Sequence, residues 1–232
     1  MTTSDLESFK RAAARAAVDY VKDGMVVGLG TGSTAKHLVL ALGEKIQTGL
    51  QIRAVCTSRE TASLAGSFGI TLLDHEPRWK IDVAFDGADQ VDPSFNLIKG
   101  GGGALLKEKI VAASAKQFVV LVDYTKRVAV LGGTFPLPVE VVPFGWGSTV
   151  RQIEVLTRSQ VVLRERDGTP FHTESGNLIV DVHLAAITQP QELEIALNYI
   201  PGVVETGLFV DRTDVLIVGT PHGTETHNVK RT

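Results

Sequence analysis

Five short strand-like runs, each ending in a glycine-, hydroxyl- or acid-bearing turn, constrain this chain most: Met25 to Leu29, Gln51 to Val55, Ile70 to Leu73, Ile81 to Phe85 and Phe118 to Val122. Helical patterns at 35–42 and 59–69 lie between them. Brief apolar runs suit strands buried on both faces, and their alternation with helices predicts an α/β fold with a mostly parallel sheet. In such a sheet ligands gather beyond the carboxyl ends of the strands. The endings at Gly30, Ser58, Asp86 and Asp123 are therefore expected to face one crevice.

The first ending is the most chemical in character. Gly28-Leu29-Gly30-Thr31-Gly32-Ser33-Thr34 runs from a strand into a helix, a pattern that predicts an anion cradle. Glycines let backbone N–H groups converge, and the helix N-terminus adds a favourable dipole. A dinucleotide fingerprint fails, because Ser33 stands where its third glycine belongs and Cys56-Thr57-Ser58-Arg59 offers no ribose-binding acid. A nucleotide P-loop fails at Ala35-Lys36-His37. The hydroxyls of Thr31, Ser33 and Thr34 suit a small phosphate monoester.

From Asp86 to Glu108 the chain concentrates groups that move protons. Asp86-Gly87-Ala88-Asp89 closes a strand, Lys99 precedes the glycines Gly100 to Gly103, and Glu108 follows in a helical pattern. Consecutive glycines cost conformational entropy, so this run implies close approach of backbone to a partner.

After Leu131 the pattern changes. Gly132-Gly133-Thr134 and the proline-spaced segment to Gly147 mark a boundary and then a strand. A helix at 148–158, strands at 161–164 and 178–182 and a helix at 191–198 follow, an order that predicts a small α+β module of split βαβ type. The economical topology inserts this module at 132–206 into an α/β domain made of 1–131 and 207–232. At the N-terminus, Ser4 and Glu7 are spaced as a capping box for a helix at 4–22. The tail from Thr220 lacks apolar periodicity and is expected to fray.

Composition excludes several classes. A net charge of -3 gives no footprint for nucleic acid, and no apolar run approaches a membrane span. A single cysteine, Cys56, rules out an intrachain disulfide and any multi-cysteine metal site; it reads as a packing residue, as do Trp79 and Trp146. The six histidines lack metal-ligand spacing, so no metal is expected. The N-terminus lacks a secretory signal pattern, which predicts a soluble, cytoplasmic protein.

The motifs GLGTGSTA at 28–35, DGAD at 86–89, NLIKGGGGALLKEKI at 96–110, VDYTKRV at 122–128, PLPVEVVPFG at 136–145 and PGVVETGLF at 201–209 resemble ribose-5-phosphate isomerase of the A type. The resemblance spans nearly the whole chain, with the motifs in the family's order. It implies a Rossmann-like α/β domain carrying an inserted ferredoxin-like lid. It also implies a cofactor-free aldose–ketose isomerase of the pentose phosphate pathway, acting on a sugar phosphate as a homodimer, with a tetramer as the alternative. By the same resemblance Glu108 is the catalytic base, Asp86 and Asp89 handle ring opening and proton movement between oxygens, and Lys99 with Gly100 to Gly103 stabilises the enediolate. Thr31, Gly32, Ser33, Thr34 and Lys126 match phosphate-side positions, with Lys10 assisting, while Gly87 and Ala88 line the substrate. Gln90, Lys107 and Tyr124-Thr125 depart from the commoner family residues without touching a proposed acid or base.

Two rival classes make different predictions. A sugar-phosphate sensor would keep the cradle without turnover, but four proton-handling residues and the lack of a helix-turn-helix extension argue against it. A nicotinamide-dependent dehydrogenase would need the fingerprint that fails at Ser33.

Overall fold

The computed structural model describes residues 3–73 and 78–229. It forms two compact units, one from Met1–Ala88, Lys107–Lys126 and Arg212–Thr232, the other from Asp89–Leu106 and Arg127–Asp211.

Helix α1 (Thr3–Ala17) leads into β1 (Val26–Leu29), α2 (Ser33–Gln47), β2 (Arg53–Cys56), α3 (Arg59–Ser67), β3 (Thr71–Leu72) and β4 (Val83–Asp86). A hairpin of β5 (Gln90–Val91) and β6 (Leu97–Ile98) follows, then α4 (Leu105–Ser114) and β7 (Phe118–Asp123). Next come β8 (Leu137–Val141), α5 (Trp146–Thr157), β9 (Gln160–Leu163), the hairpin β10 (Glu165–Arg166) and β11 (Thr169–Pro170), β12 (Leu178–His183) and α6 (Pro190–Asn198). The chain closes with β13 (Val203–Thr206), β14 (Leu208–Phe209), β15 (Val215–Thr220) and β16 (Gly223–Asn228).

In the first unit one seven-stranded sheet has the order β16-β15-β7-β4-β1-β2-β3. Every pairing is parallel except that of β15 with β16. The chain winds outward from β1 through β2 to β3, then returns to β4 on the other side of β1. That reversal makes the gap between β1 and β4 the topological switch point, where open α/β sheets place ligands. The strands are nearly continuous in Val, Leu and Phe because helices shield them; α1 and α2 contribute Ala13, Ala14, Ala17, Leu38 and Leu42 to the core over Val27, Leu29, Phe85 and Leu121.

Two local expectations are corrected. Ser4 lies inside α1, and the Glu7 carboxylate bonds to Lys10 and His37 instead of closing a capping box. The tail from Thr220 is paired as far as Asn228: β16 adds an antiparallel edge in register with β15. Its mostly polar side chains suit an edge strand, which needs a backbone partner more than an apolar face. Residues 230–232 of that tail lie outside the described residues.

The second unit carries a four-stranded antiparallel sheet of order β13-β8-β12-β9 with α5 and α6. Numbered within that module, the order is 4-1-3-2, that of a split βαβ fold. Leu137, Val139 and Val141 alternate toward a core with Ile153, Val180, Val182 and Leu197, leaving Pro138 and Glu140 on the opposite face of β8. The β5–β6 hairpin pairs with β14, so this unit also takes in 89–106, 127–131 and 207–211 around the 132–206 module.

Candidate active site

At the switch point of the first unit, the turn after β1 is built against the end of β4. Gly30 N–H continues the ladder to the Phe85 carbonyl at 2.9 Å. Asp86, 2% exposed, then turns its Oδ1 to the N–H groups of Thr31 at 3.2 Å and Gly87 at 2.8 Å. A Cβ on Gly30 would lie 2.1 Å from Asp86 Cγ, so only glycine permits this approach. Two bonds donated to one buried carboxylate oxygen fix Asp86 at the strand end.

The neighbouring strand end locks the same turn. Thr31 Oγ1 lies 2.6 Å from Thr57 Oγ1, and Thr61 Oγ1 donates to the Gly30 carbonyl at 2.8 Å. Ser58 caps α3 by accepting from Thr61 N–H at 3.2 Å, which sets the angle of that hydroxyl. Ser33 opens α2, whose first-turn N–H groups supply the dipole of the expected cradle.

Lys10 reaches this cradle. Its Nζ donates to Ser33 Oγ at 3.0 Å and to Glu7 Oε1 at 2.7 Å, while Glu7 Oε2 lies 2.8 Å from His37 Nε2. Glu7 and Lys10 are one turn apart on α1, as Ser33 and His37 are on α2, so the four side chains mesh where the helices pack. Bonds from Lys10 and then His37 hold the Glu7 carboxyl below its usual range.

Two more expected residues belong to this unit. Glu108 is 5% exposed in the first turn of α4. Lys126 is half-buried in a short 3-10 turn after β7. That turn is set by the buried Asp123, whose Oδ1 accepts from Thr125 N–H at 3.0 Å and from the Thr125 hydroxyl.

The second unit holds Asp89, Lys99 and the glycine loop. Asp89 N–H donates to the Ile98 carbonyl and Lys99 N–H to the Gly207 carbonyl, both at 2.8 Å. Lys99 is 3% exposed, its Nζ 5.4 Å from the Phe209 ring centroid. Asp89 Oδ2 accepts from Gly101 N–H at 2.8 Å, and Gly103 N–H turns back to the Gly100 carbonyl at 3.0 Å. The expectation of four N–H donors aimed at an oxyanion is thereby narrowed: that of Gly101 goes to Asp89 and that of Gly103 to the Gly100 carbonyl, while those of Gly100 and Gly102 have no acceptor among the described residues. Gln90, one of the departures, pairs both ends of its amide with Gly132, donating at 2.9 Å and accepting at 2.7 Å. An ionised Glu could not make the first of those bonds.

Thr57, Thr61, Glu7 and His37 escaped the sequence reading as site residues. Only the hydroxyl-rich run after β2 hinted at the first two. Among the described residues no group of three or more His, Cys, Asp or Glu side chains is placed to hold a metal ion, and no helix is long and apolar enough to cross a membrane.

A parallel sheet with a buried carboxylate and a glycine–hydroxyl turn at its switch point is the framework of an α/β enzyme for small anionic metabolites. The model of the ribose 5-phosphate isomerase A (phosphoriboisomerase A) family matches residues 53–223. Ribose-5-phosphate isomerase A of Jannaschia sp. (strain CCS1) is 53% identical over 231 residues, covering 95% of this chain and 87% of the relative. A solved D-ribose-5-phosphate isomerase in complex with phospho-erythronic acid superposes with a TM-score of 0.92 at 40% identity, over 99% of this chain and 100% of the other. Ribose 5-phosphate isomerase from Plasmodium falciparum gives a TM-score of 0.93 at 34% identity, over 97% of this chain and 100% of the other. The chain belongs to the ribose 5-phosphate isomerase A family.

Proposed function

We infer that this protein is an aldose–ketose isomerase interconverting D-ribose 5-phosphate and D-ribulose 5-phosphate through an enediolate. Family membership supports the reaction. The observation that carries it to named atoms is the buried Asp86 carboxylate, held by Thr31 and Gly87 N–H groups beside the phosphate-type turn.

The reaction removes a proton from the carbon next to a carbonyl and returns it to the neighbouring carbon. It needs a base, donors for the developing oxyanion and a means of opening the furanose ring. Glu108 is the base; its burial keeps water from competing for the proton. Asp86 and Asp89 move protons during ring opening and between the two oxygens. Lys99 and, of the Gly100 to Gly103 loop, the N–H groups of Gly100 and Gly102 meet the oxyanion. Thr31, Gly32, Ser33 and Thr34, with Lys10 and Lys126, hold the phosphate, while Gly87 and Ala88 line the sugar. The solved relative with phospho-erythronic acid carries a phosphorylated sugar acid, which combines the two anionic groups these residues are assigned to meet.

The enzyme works without a cofactor, in the cytoplasm and in the non-oxidative branch of the pentose phosphate pathway. It assembles as a homodimer, or as a tetramer built from one. Residues 1–131 with 207–232 form the catalytic domain, and 132–206 is an inserted lid or oligomerisation module. Chelator-treated protein mixed with ribose 5-phosphate is expected to form ribulose 5-phosphate, and Lys126→Ala to raise KM with little change in kcat, since phosphate contacts are largely uniform along the reaction. Binding without turnover would make the chain a sensor and refute the assignment.

A further inference from the structure

The glycine loop of the second unit is gripped from the side opposite Asp89. Arg164, between β9 and β10, donates from Nη1 to the carbonyl oxygens of Gly100 at 2.7 Å and Gly101 at 3.2 Å. The rest of its fork goes to Asp181 on β12: Nε donates to Oδ2 at 2.9 Å, and Nη2 to Oδ1. Both side chains are only 16% exposed, so the pair sits where a bidentate, charge-assisted contact is strong and little screened.

A trans peptide points its C=O and N–H in opposite directions. The Gly100 carbonyl and the Gly101 N–H belong to one peptide, so the contacts form a line: Asp181, Arg164, that peptide, then Asp89 Oδ2 at 2.8 Å. The next peptide repeats the pattern. Its carbonyl, on Gly101, faces Arg164, and its N–H, on Gly102, points away with no acceptor among the described residues.

We propose that Arg164, oriented by Asp181, is a positioning residue for the isomerase reaction, fixing the Asp89 carboxylate through one peptide and aiming the Gly102 N–H through the next. The proposal rests on the roles assigned above to Asp89 and the glycine loop. A cation against each carbonyl also polarises the amide and strengthens its N–H as a donor. Lysine is a poor substitute: a single ammonium cannot match both Asp181 oxygens and two carbonyls in a fixed plane.

The test compares kcat and KM for ribose 5-phosphate, inhibition by inorganic phosphate and thermal midpoint in wild type, Arg164→Lys, Arg164→Ala and Asp181→Asn. Since a displacement of about 1 Å costs on the order of 100-fold, kcat is expected to fall about 10- to 100-fold in both Arg164 variants. KM and the phosphate inhibition constant should stay within about twofold, because phosphate binding does not use the loop. Asp181→Asn, which leaves the carbonyl contacts in place, should lose only about three- to tenfold. The amide resonance of Gly102 should shift in Arg164→Lys. Folded Arg164 variants with wild-type kcat would overturn the clamp. So would a joint change in kcat, KM and phosphate inhibition alongside a collapsed thermal midpoint, which marks a scaffold role. Wild-type protein inert toward ribose 5-phosphate would instead sink the reading on which the clamp rests.

Discussion

Substituting Gly30 by alanine isolates the contact between the phosphate-type turn and Asp86. The added Cβ would stand 2.1 Å from both Cγ and Oδ1 of Asp86 and 2.7 Å from its Cβ. Carbon–carbon contact is comfortable only near 3.5–4.0 Å, so the carboxyl or the turn must retreat by more than about 1 Å. Asp86 has nowhere inexpensive to go: it is buried, and retreat stretches its bonds from Thr31 N–H at 3.2 Å and Gly87 N–H at 2.8 Å. Overpacking costs about 1–3 kcal/mol, and a weakened bond to a buried charge adds about 1 kcal/mol or more. A total of roughly 2–4 kcal/mol should lower the thermal midpoint by about 5–15 °C in a chain of this size. A carboxylate misplaced by about 1 Å should reduce kcat on the order of 100-fold. Gly66→Ala is the control. Gly66 lies in α3 with open space around its Cβ position, so alanine there should be neutral or stabilise by up to about 1 kcal/mol. Isomerase rates and melting curves for both variants decide the matter. A Gly30→Ala protein with the wild-type midpoint and kcat would refute the reasoning.

Glu7→Ala releases the Lys10 ammonium from its partner on α1, and the extra freedom must be lost again when phosphate binds. A partly exposed pair is worth about 0.2–1 kcal/mol, so KM should rise up to about fivefold at unchanged kcat; a fall in KM would show that Glu7 competes with phosphate. Glu140, 1% exposed on β8, tests linkage. Burial raises its pKa from 4.5, bonds from Asn177 and Thr173 oppose that, Glu205 adds to it and a backbone bond from Leu106 opposes it. A carboxyl raised in the folded state contributes stability fully present below the unfolded pKa and lost as pH rises through the folded one. The thermal midpoint of wild type should therefore fall relative to that of Glu140→Gln as pH rises from acid, and the opposite slope would contradict the sign.

Much of the first unit was legible because its signals are local. A parallel strand buried on both faces leaves an apolar run, and its carboxyl end leaves polar punctuation, so β1, β4 and β7 and their endings could be read directly. Lys10 followed from resemblance alone, and its geometry came from a second helix that no spacing on α1 announces. Glu7 was misread because a residue three places after a serine fits a capping box in sequence, whereas Lys10 and His37 together offer the carboxylate more. The β16 edge strand was invisible to hydropathy, since its ladder with β15 needs no apolar face. Arg164 and Asp181 were hidden for another reason: they are 17 positions apart, and the glycine loop that Arg164 holds is 63 to 64 positions from it. Nothing in a one-dimensional pattern joins three such segments.

The most direct test of the account replaces Glu108 by glutamine and follows ribulose 5-phosphate formed from ribose 5-phosphate, with substrate binding measured in parallel. Glutamine keeps the shape of the buried side chain and removes the base. The account predicts retained binding and a kcat lower by about 100- to 10,000-fold, the usual contribution of a general base. Turnover near that of wild type would contradict it and leave Asp86 and Asp89 to carry the proton transfer at carbon.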